Sequence, residues 1–220
     1  VPRIPGQKSQ VFDLYINELL EWNKKFNLTS ITDPEEIRVK HFEDSLALLQ
    51  AVKLSNQSLI DVGSGAGFPG IPLKIACPTI KLTLLEATRK KIDFLKHLVA
   101  VLELNNVEII CKRAEDFARQ KREEFDLAVS RAVADLNLLS EYCLPFVKVD
   151  GLFIAYKGER IEEEASRAEN TIKLLGGELK EIKKIRLSDG VSHSLVIIEK
   201  VSLTPPKFPR RPGMAKKNPL

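Results

Sequence analysis

The chain has 220 residues, 44% of them hydrophobic and 29% charged, with a formal net charge of +4 at pH 7. That composition suits one packed α/β domain with a small appendage, and so small a net charge does not by itself point to nucleic acid. No apolar run approaches the roughly 18 residues of a membrane span, and Cys77, Cys111 and Cys143 lie far apart with no Cys-x-x-Cys pair, which predicts buried thiols, a reducing cytoplasmic setting and no metal.

The opening residues, VPRIPGQKSQ, lack the form of a secretory signal. Without an initiator methionine, the numbered chain is expected to begin inside or after a trimmed segment. Phe12, Tyr15, Leu19, Trp22 and Phe26 recur at three- and four-residue spacing and predict an amphipathic helix over residues 9–26. NLTSITD breaks it, and the glycosylation sequon at Asn27 is a chance match in a cytosolic chain. Asp33 caps a second helix, with Pro34 at its first position and Glu36 at its third. Val39, Phe42, Leu46 and Leu49 give that helix its buried stripe. His41 and Asp44 lie off the stripe, one turn apart, as an exposed i,i+3 pair or as part of a cleft.

From residue 58 the pattern alternates. Strands read at SLIDV, KLTLLEA, NVEIICK, FDLAVSRA and GLFIAYKG, with helices near 71–77, 89–103, 114–122, 135–148 and 160–175. Such alternation predicts a parallel sheet covered on both faces. ELKEIKKIRL and HSLVIIEKV are separated only by SDGVS, too short for a crossover, and should pair antiparallel. The chain ends in a proline-rich basic tail with Lys207, Arg210, Arg211, Lys216 and Lys217 and no acid. The predicted division is a helical extension over 1–57, a catalytic domain over 58–204 and the tail over 205–220.

The first strand runs into DVGSGAGFPG, residues 61–70. A P-loop would end in Gly-Lys-Ser/Thr, and this one does not. A dinucleotide pattern does occur at Gly65, Gly67 and Gly70, with Glu86 about twenty residues on, so an NAD(P)-binding oxidoreductase is an alternative. Against it, Pro69 and Pro72 bracket the third glycine, where a dinucleotide fold wants a helix N-terminus aimed at pyrophosphate. The register Asp61-x-Gly63-x-Gly65-x-Gly67 also places an acid before the first glycine, which repels pyrophosphate and suits an ammonium group.

An acid before a glycine series, an acid after the second strand and a terminal hairpin together resemble the class I S-adenosylmethionine-dependent methyltransferases. The strings NKKFNLTS, KHFEDSL, DVGSGAGFPGIPLKI, RAEDF, VSRAV and PRRPGMAKKNPL further resemble the bacterial 16S ribosomal RNA guanine-N7 methyltransferase family, known also as glucose-inhibited division protein B. The resemblance runs from about Trp22 to Leu220, and the N-terminal region is shorter than that family's pattern. It implies a Rossmann-like sheet, S-adenosyl-L-methionine as cofactor, and 16S ribosomal RNA, free or within the small ribosomal subunit, as partner. A methyltransferase of the same fold acting on another RNA or a small molecule is the nearest alternative.

On this reading Gly63, Gly65 and Gly67 let the backbone approach the methionyl part of the cofactor, with Phe68 beside it. Asp61 faces its ammonium group or fixes the turn. Glu86 accepts the ribose hydroxyls, with Thr88 nearby. Ala114 and Glu115 sit where the family contacts adenine. Arg131, at the end of the fourth strand, is assigned by the resemblance to the cleft and the cofactor, and Asn27, His41, Asp44 and Lys157 to positioning in the active site. Lys24, Lys25 and the five basic tail residues are expected on RNA phosphates. The fourth strand carries neither an Asn-Pro-Pro-Tyr motif nor a Pro-Cys pair. Guanine N7 has an exposed lone pair and no proton to lose, so it requires no general base; alignment suffices.

Overall fold

The computed structural model describes residues 6–131 and 134–220. The opening residues 1–5, and Ala132 and Val133 of the VSRAV string, lie outside the described residues. The strands are β1 (Ser58–Val62), β2 (Lys81–Glu86), β3 (Val107–Cys111), β4 (Phe125–Ser130), β5 (Val147–Gly158), β6 (Gly177–Arg186) and β7 (Ser192–Lys200). They form one sheet in the order β3-β2-β1-β4-β5-β7-β6. β1 to β5 are parallel, and β7 runs antiparallel between β5 and β6. The connections change direction between β1 and β4, so a crevice opens at the carboxyl ends of these two strands.

The helical elements are α1 (Gly6–Asn23), α2 (Pro34–Ile37), a π turn (Arg38–Glu43), α3 (Asp44–Leu46), a 3-10 turn (Ala47–Gln50), α4 (Gly70–Ala76), α5 (Arg89–Val101), α6 (Ala114–Phe117), α7 (Leu136–Cys143), α8 (Glu162–Leu174) and α9 (Met214–Lys217). Strand periodicity divides the core between the two faces. On β5, Ile154 and Tyr156 join the core under α1, α4 and α5, whereas Phe153 and Ala155 join the one under α7 and α8. Leu195 and Ile197 against Val196 and Ile198 repeat the division on β7. Phe12, Tyr15 and Leu19 are buried as the α1 stripe predicts, and Trp22 and Phe26 pack against them half-buried.

Four local expectations need correction. The second helix is not one α-helix: its middle takes the π turn. The helix expected over 114–122 ends at Phe117, and that expected over 135–148 ends at Cys143. There Pro145 has no N–H to continue the i→i−4 hydrogen bonds, a 3-10 turn covers Leu144–Phe146, and β5 begins at Val147. Of the thiols only Cys143 is buried; Cys77 is half-buried and Cys111 is exposed, because β3 is an edge strand.

The tail docks onto the α7–α8 face. Phe208 is buried in that core, and the Arg122 guanidinium donates to the carbonyls of Thr204, Pro205 and Phe208. Arg210 grips the buried Glu141 through Nε (2.9 and 3.1 Å) and Nη2 (2.6 Å). Gly213 N–H reaches Glu115 Oε1 at 3.2 Å.

Candidate active site

Sequence dictates the turn after β1 through backbone conformation. Gly63, Gly65 and Gly67 all have positive φ, at 78°, 58° and 98°, a region that Cβ sterics close to most residues. Their surroundings differ. A Cβ on Gly63 would meet nothing within 4 Å, whereas one on Gly67 would lie 2.7 Å from Ile71 Cδ1 and from Tyr15 Oη. Gly63 therefore faces open space, a Cβ on Gly65 would meet only Gly63 O at 3.9 Å, and Gly67 lets α1 close on the turn. The turn is tied to β2: Gly63 N and Ser64 N donate to Leu85 O, and Gly65 N to Glu86 Oε2 at 3.1 Å. Glu86 Oε1 accepts from Thr88 N at 2.8 Å. Both Glu86 oxygens are oriented by these bonds, and each retains a lone-pair site for a hydroxyl.

Asp61 sits beneath the turn rather than in the cleft. Its Oδ2 accepts from Gly70 N at 2.9 Å, and a Cβ on Gly70 would lie 2.8 Å from that oxygen. Oδ1 is buried without a partner among the described residues. Burial pushes the carboxyl up to about 7, opposed in part by the Gly70 hydrogen bond and Arg131. Of the two roles left open for Asp61, this geometry is that of a strand-end acid fixing the turn.

Three cavities meet at the carboxyl ends of β1, β2 and β4. One of about 250 Å³ is lined by Gly63, Glu86, Ala114, Glu115, Leu139 and Tyr142 among others. A second, of about 140 Å³, adjoins Gly63 to Ala66, Phe68, Thr29, His41 and Arg131. The third, about 630 Å³, lies between the π turn, the end of β5 and the β6–β7 hairpin, and includes Lys40, His41, Asp44, Arg131, Lys157 and His193. Gly63 joins the first two, and His41 and Arg131 form the wall between the second and third. Residues of five of the six sequence strings thus line adjoining cavities, and the tail string PRRPGMAKKNPL lines none of the three. Gly67 and Asp61 support them from outside, and Thr88 stands exposed at their rim as the N-cap of α5.

The shared wall is a closed network. Arg131 Nη1 donates to Asp44 Oδ2 (3.0 Å) and to Lys40 O (3.1 Å), and Nη2 lies 3.2 Å from His41 Nδ1. Its guanidinium carbon stands 4.9 Å from the Phe68 ring centre, a cation–π distance. A guanidinium has no acceptor, so His41 Nδ1 accepts and the proton resides on Nε2, which donates to Thr29 Oγ1 at 2.8 Å. Burial first, then Arg131, lowers the His41 pKa to about 4. The other Asp44 oxygen, Oδ1, accepts from His193 Nδ1 at 2.8 Å, and this bond raises the His193 pKa above its ordinary value. His41 and Asp44 are therefore not an exposed i,i+3 pair, because the π turn directs both toward β4 and β7. His193, from the final strand, belongs to the site with no local motif to mark it.

The remaining expected residues divide in two. Lys157 is nearly buried at the end of β5 and donates to Ala134 O (2.5 Å) and Glu164 Oε1 (2.6 Å). Asn27 is exposed and lines none of the three cavities; Asn23 holds the adjoining turn through Leu28 N and Thr29 N. Lys24 pairs with Glu21, and Lys25 lies 5.0 Å over the Trp22 ring. Arg210 is occupied by Glu141, whereas Lys207, Arg211, Lys216 and Lys217 are exposed.

A family model described as rRNA small subunit methyltransferase G matches residues 8–193. A protein called ribosomal RNA small subunit methyltransferase G from Alkaliphilus metalliredigens is 50% identical over 210 residues, 94% of this chain and 88% of its own. One of the same name from a Thermoanaerobacter species is 49% identical over 213 residues, covering 95% and 89%. The fold is shared with M. jannaschii TYW2 solved in complex with AdoMet, at TM-score 0.57 and 18% identity over 72% of this chain and 75% of that one. A Geobacter metallireducens precorrin-6y C5,15-methyltransferase gives TM-score 0.53 at 12% identity, covering 72% and 87%.

Proposed function

The chain belongs to the rRNA small subunit methyltransferase G family, and on that premise we propose that it methylates N7 of a guanine in 16S ribosomal RNA with S-adenosylmethionine as donor. The observation that carries this reading is the His41–Arg131 wall, which the small cavity beside the glycine turn and the large cleft share. The residues present fit the donor: open space stands before Gly63, and Glu86 presents two oriented oxygens to the adjoining cavity. When bound, the donor supplies an electrophilic methyl group on a positively charged sulfur.

The protein's own contribution is alignment. Gly63 and Gly65 admit the methionyl portion, Glu86 accepts the ribose hydroxyls, and Ala114 and Glu115 border the adenine. Arg131 and Phe68 hold the wall at which nucleophile and methyl meet. No described side chain on that wall is poised to take a proton. His41 is neutral with Nδ1 facing Arg131, and both Asp44 oxygens are engaged. That arrangement suits a nucleophile with nothing to deprotonate, which guanine N7 is. Reaction then depends on holding N7 in line with the methyl–sulfur bond. RNA from cells lacking the protein, incubated with purified chain and tritiated donor, is expected to gain label at N7 of guanine in 16S rRNA. Label confined to other RNAs, or to another atom of the base, would overturn the reading.

A further inference from the structure

The large cleft holds a carboxylate that the transfer step does not use. Glu164, on α8, lines it together with Lys157 and Asp189. Its Oε1 accepts from Leu136 N at 2.7 Å and from Lys157 Nζ at 2.6 Å, while Oε2 accepts no hydrogen bond among the described residues. The side chain is 22% exposed, so the free oxygen is reachable from the cleft yet held in place by the bonds of its twin. Lys157 secures the geometry further through Ala134 O. β4 and β5 are neighbours, with Ser130 opposite Ala155. Arg131 and Lys157 therefore leave the same edge of the sheet from adjacent strands.

Resting on the proposed N7 chemistry, we propose that Glu164 is a specificity residue that reads the Watson–Crick edge of the target guanine. An enzyme acting on a base takes it out of the stack and recognises it by that edge. With N7 at the His41–Arg131 wall, the N1–H and N2–H₂ donors of guanine point away from the methyl, toward the rest of the cleft. A fixed carboxylate is their complement, because it only accepts. Adenine presents a lone pair at N1, which a carboxylate repels. Of the other cleft carboxylates, Asp44 has both oxygens engaged. Asp189 lies exposed in the β6–β7 turn, held among the described residues only through Val191 N at 2.9 Å. Glu164 alone of the three combines an open oxygen with a fixed geometry.

The test compares RNA carrying guanosine at the mapped target with RNA carrying inosine there, which lacks the N2 amino group. Wild-type kcat/KM is expected to fall about tenfold or more with inosine, the scale of one lost charge-assisted hydrogen bond. In Glu164→Gln the guanosine rate should fall and the guanosine-to-inosine ratio should contract. The intrinsic difference in N7 basicity is common to both enzymes and cancels. Gln retains an acceptor for Leu136 N, and a melting curve checks its fold; Glu164→Asp, with a retracted carboxylate, should give an intermediate ratio. Asp189→Asn should leave the ratio unchanged. An unchanged ratio in both Glu164 variants, or a contraction in Asp189→Asn instead, overturns the assignment. Wild-type enzyme that forms no 7-methylguanosine overturns the underlying reading as well, which separates the two failures.

Discussion

Buried Asp61 and half-buried His41 give the protein opposite responses to acid. Asp61 has its carboxyl raised to about 7, against about 3.9 in an unfolded chain. Between these values the folded protein holds a proton that the unfolded chain has released, so this contribution to stability falls as pH rises through the window. Asn cannot ionise, and the melting temperature of wild type minus that of Asp61→Asn should decline from about pH 4 to 7; a level difference would refute a buried protonated acid. His41 runs the other way, with its pKa lowered to about 4. The unfolded chain takes up a proton first, and stability contributed here is lost as pH falls below about 6.5. Because Arg131 faces Nδ1, His41→Gln should slow single-turnover methyl transfer by less than the factor of about 100 or more that removing a general base costs. A larger loss, together with disappearance of a limb in the pH–rate profile, would make His41 the base that N7 does not need.

At the scale of elements, the glycine turn separates ligand binding from packing. Alanine at Gly63 or Gly67 would each occupy the left-handed region, a strain of about 1–2 kcal/mol. Only Gly67→Ala also drives a methyl into Ile71 and Tyr15, adding about 1–3 kcal/mol of overpacking. Denaturant unfolding should show Gly67→Ala as the less stable variant. Calorimetry with S-adenosylhomocysteine should show the larger loss of affinity per unit of lost stability in Gly63→Ala; the reverse order would move the ligand to Gly67. The sequence made this turn legible because backbone conformation leaves its mark in residue type. Every strand was legible for a similar reason, since β1 to β5 alternate with helices and SDGVS permits only a hairpin. The wall of the site was less so. Val39, Phe42 and Leu46 read as an α-helical stripe, and nothing local announces the π turn over Arg38–Glu43. Its consequence, Asp44 held between Arg131 and His193 from partners 87 and 149 residues away, is tertiary. Glu164 is similarly hidden in EEEAS, a helix start that favours acids by its dipole alone.

For the whole molecule, the decisive question is what the basic tail does. Its composition suggests an arm for RNA phosphates, yet the fold divides its charges into two sets. Arg210 faces inward onto Glu141, whose side chain is 1% exposed. Losing the cation would leave a buried charge uncompensated, which costs about 3–5 kcal/mol. Phe208 fills the α7–α8 core, and Gly213 N–H rests on Glu115, which borders the proposed adenine cavity. Deleting 205–220 should therefore lower the melting temperature and weaken S-adenosylhomocysteine binding together, through one wall. Arg210→Ala should reproduce much of both effects. Arg211, Lys216 and Lys217 are exposed and have no such role in packing. Reversing these three charges should leave the melting curve and cofactor affinity near wild type. It should also weaken RNA binding and flatten its dependence on salt, by roughly 0.7–0.9 of a logarithmic unit of slope for each phosphate that is no longer neutralised. Titrations of both ligands at two salt concentrations, beside melting curves, decide the matter. A triple reversal that leaves the salt slope unchanged would remove Arg211, Lys216 and Lys217 as phosphate contacts, and a truncation that spares cofactor affinity would sever the link through Glu115.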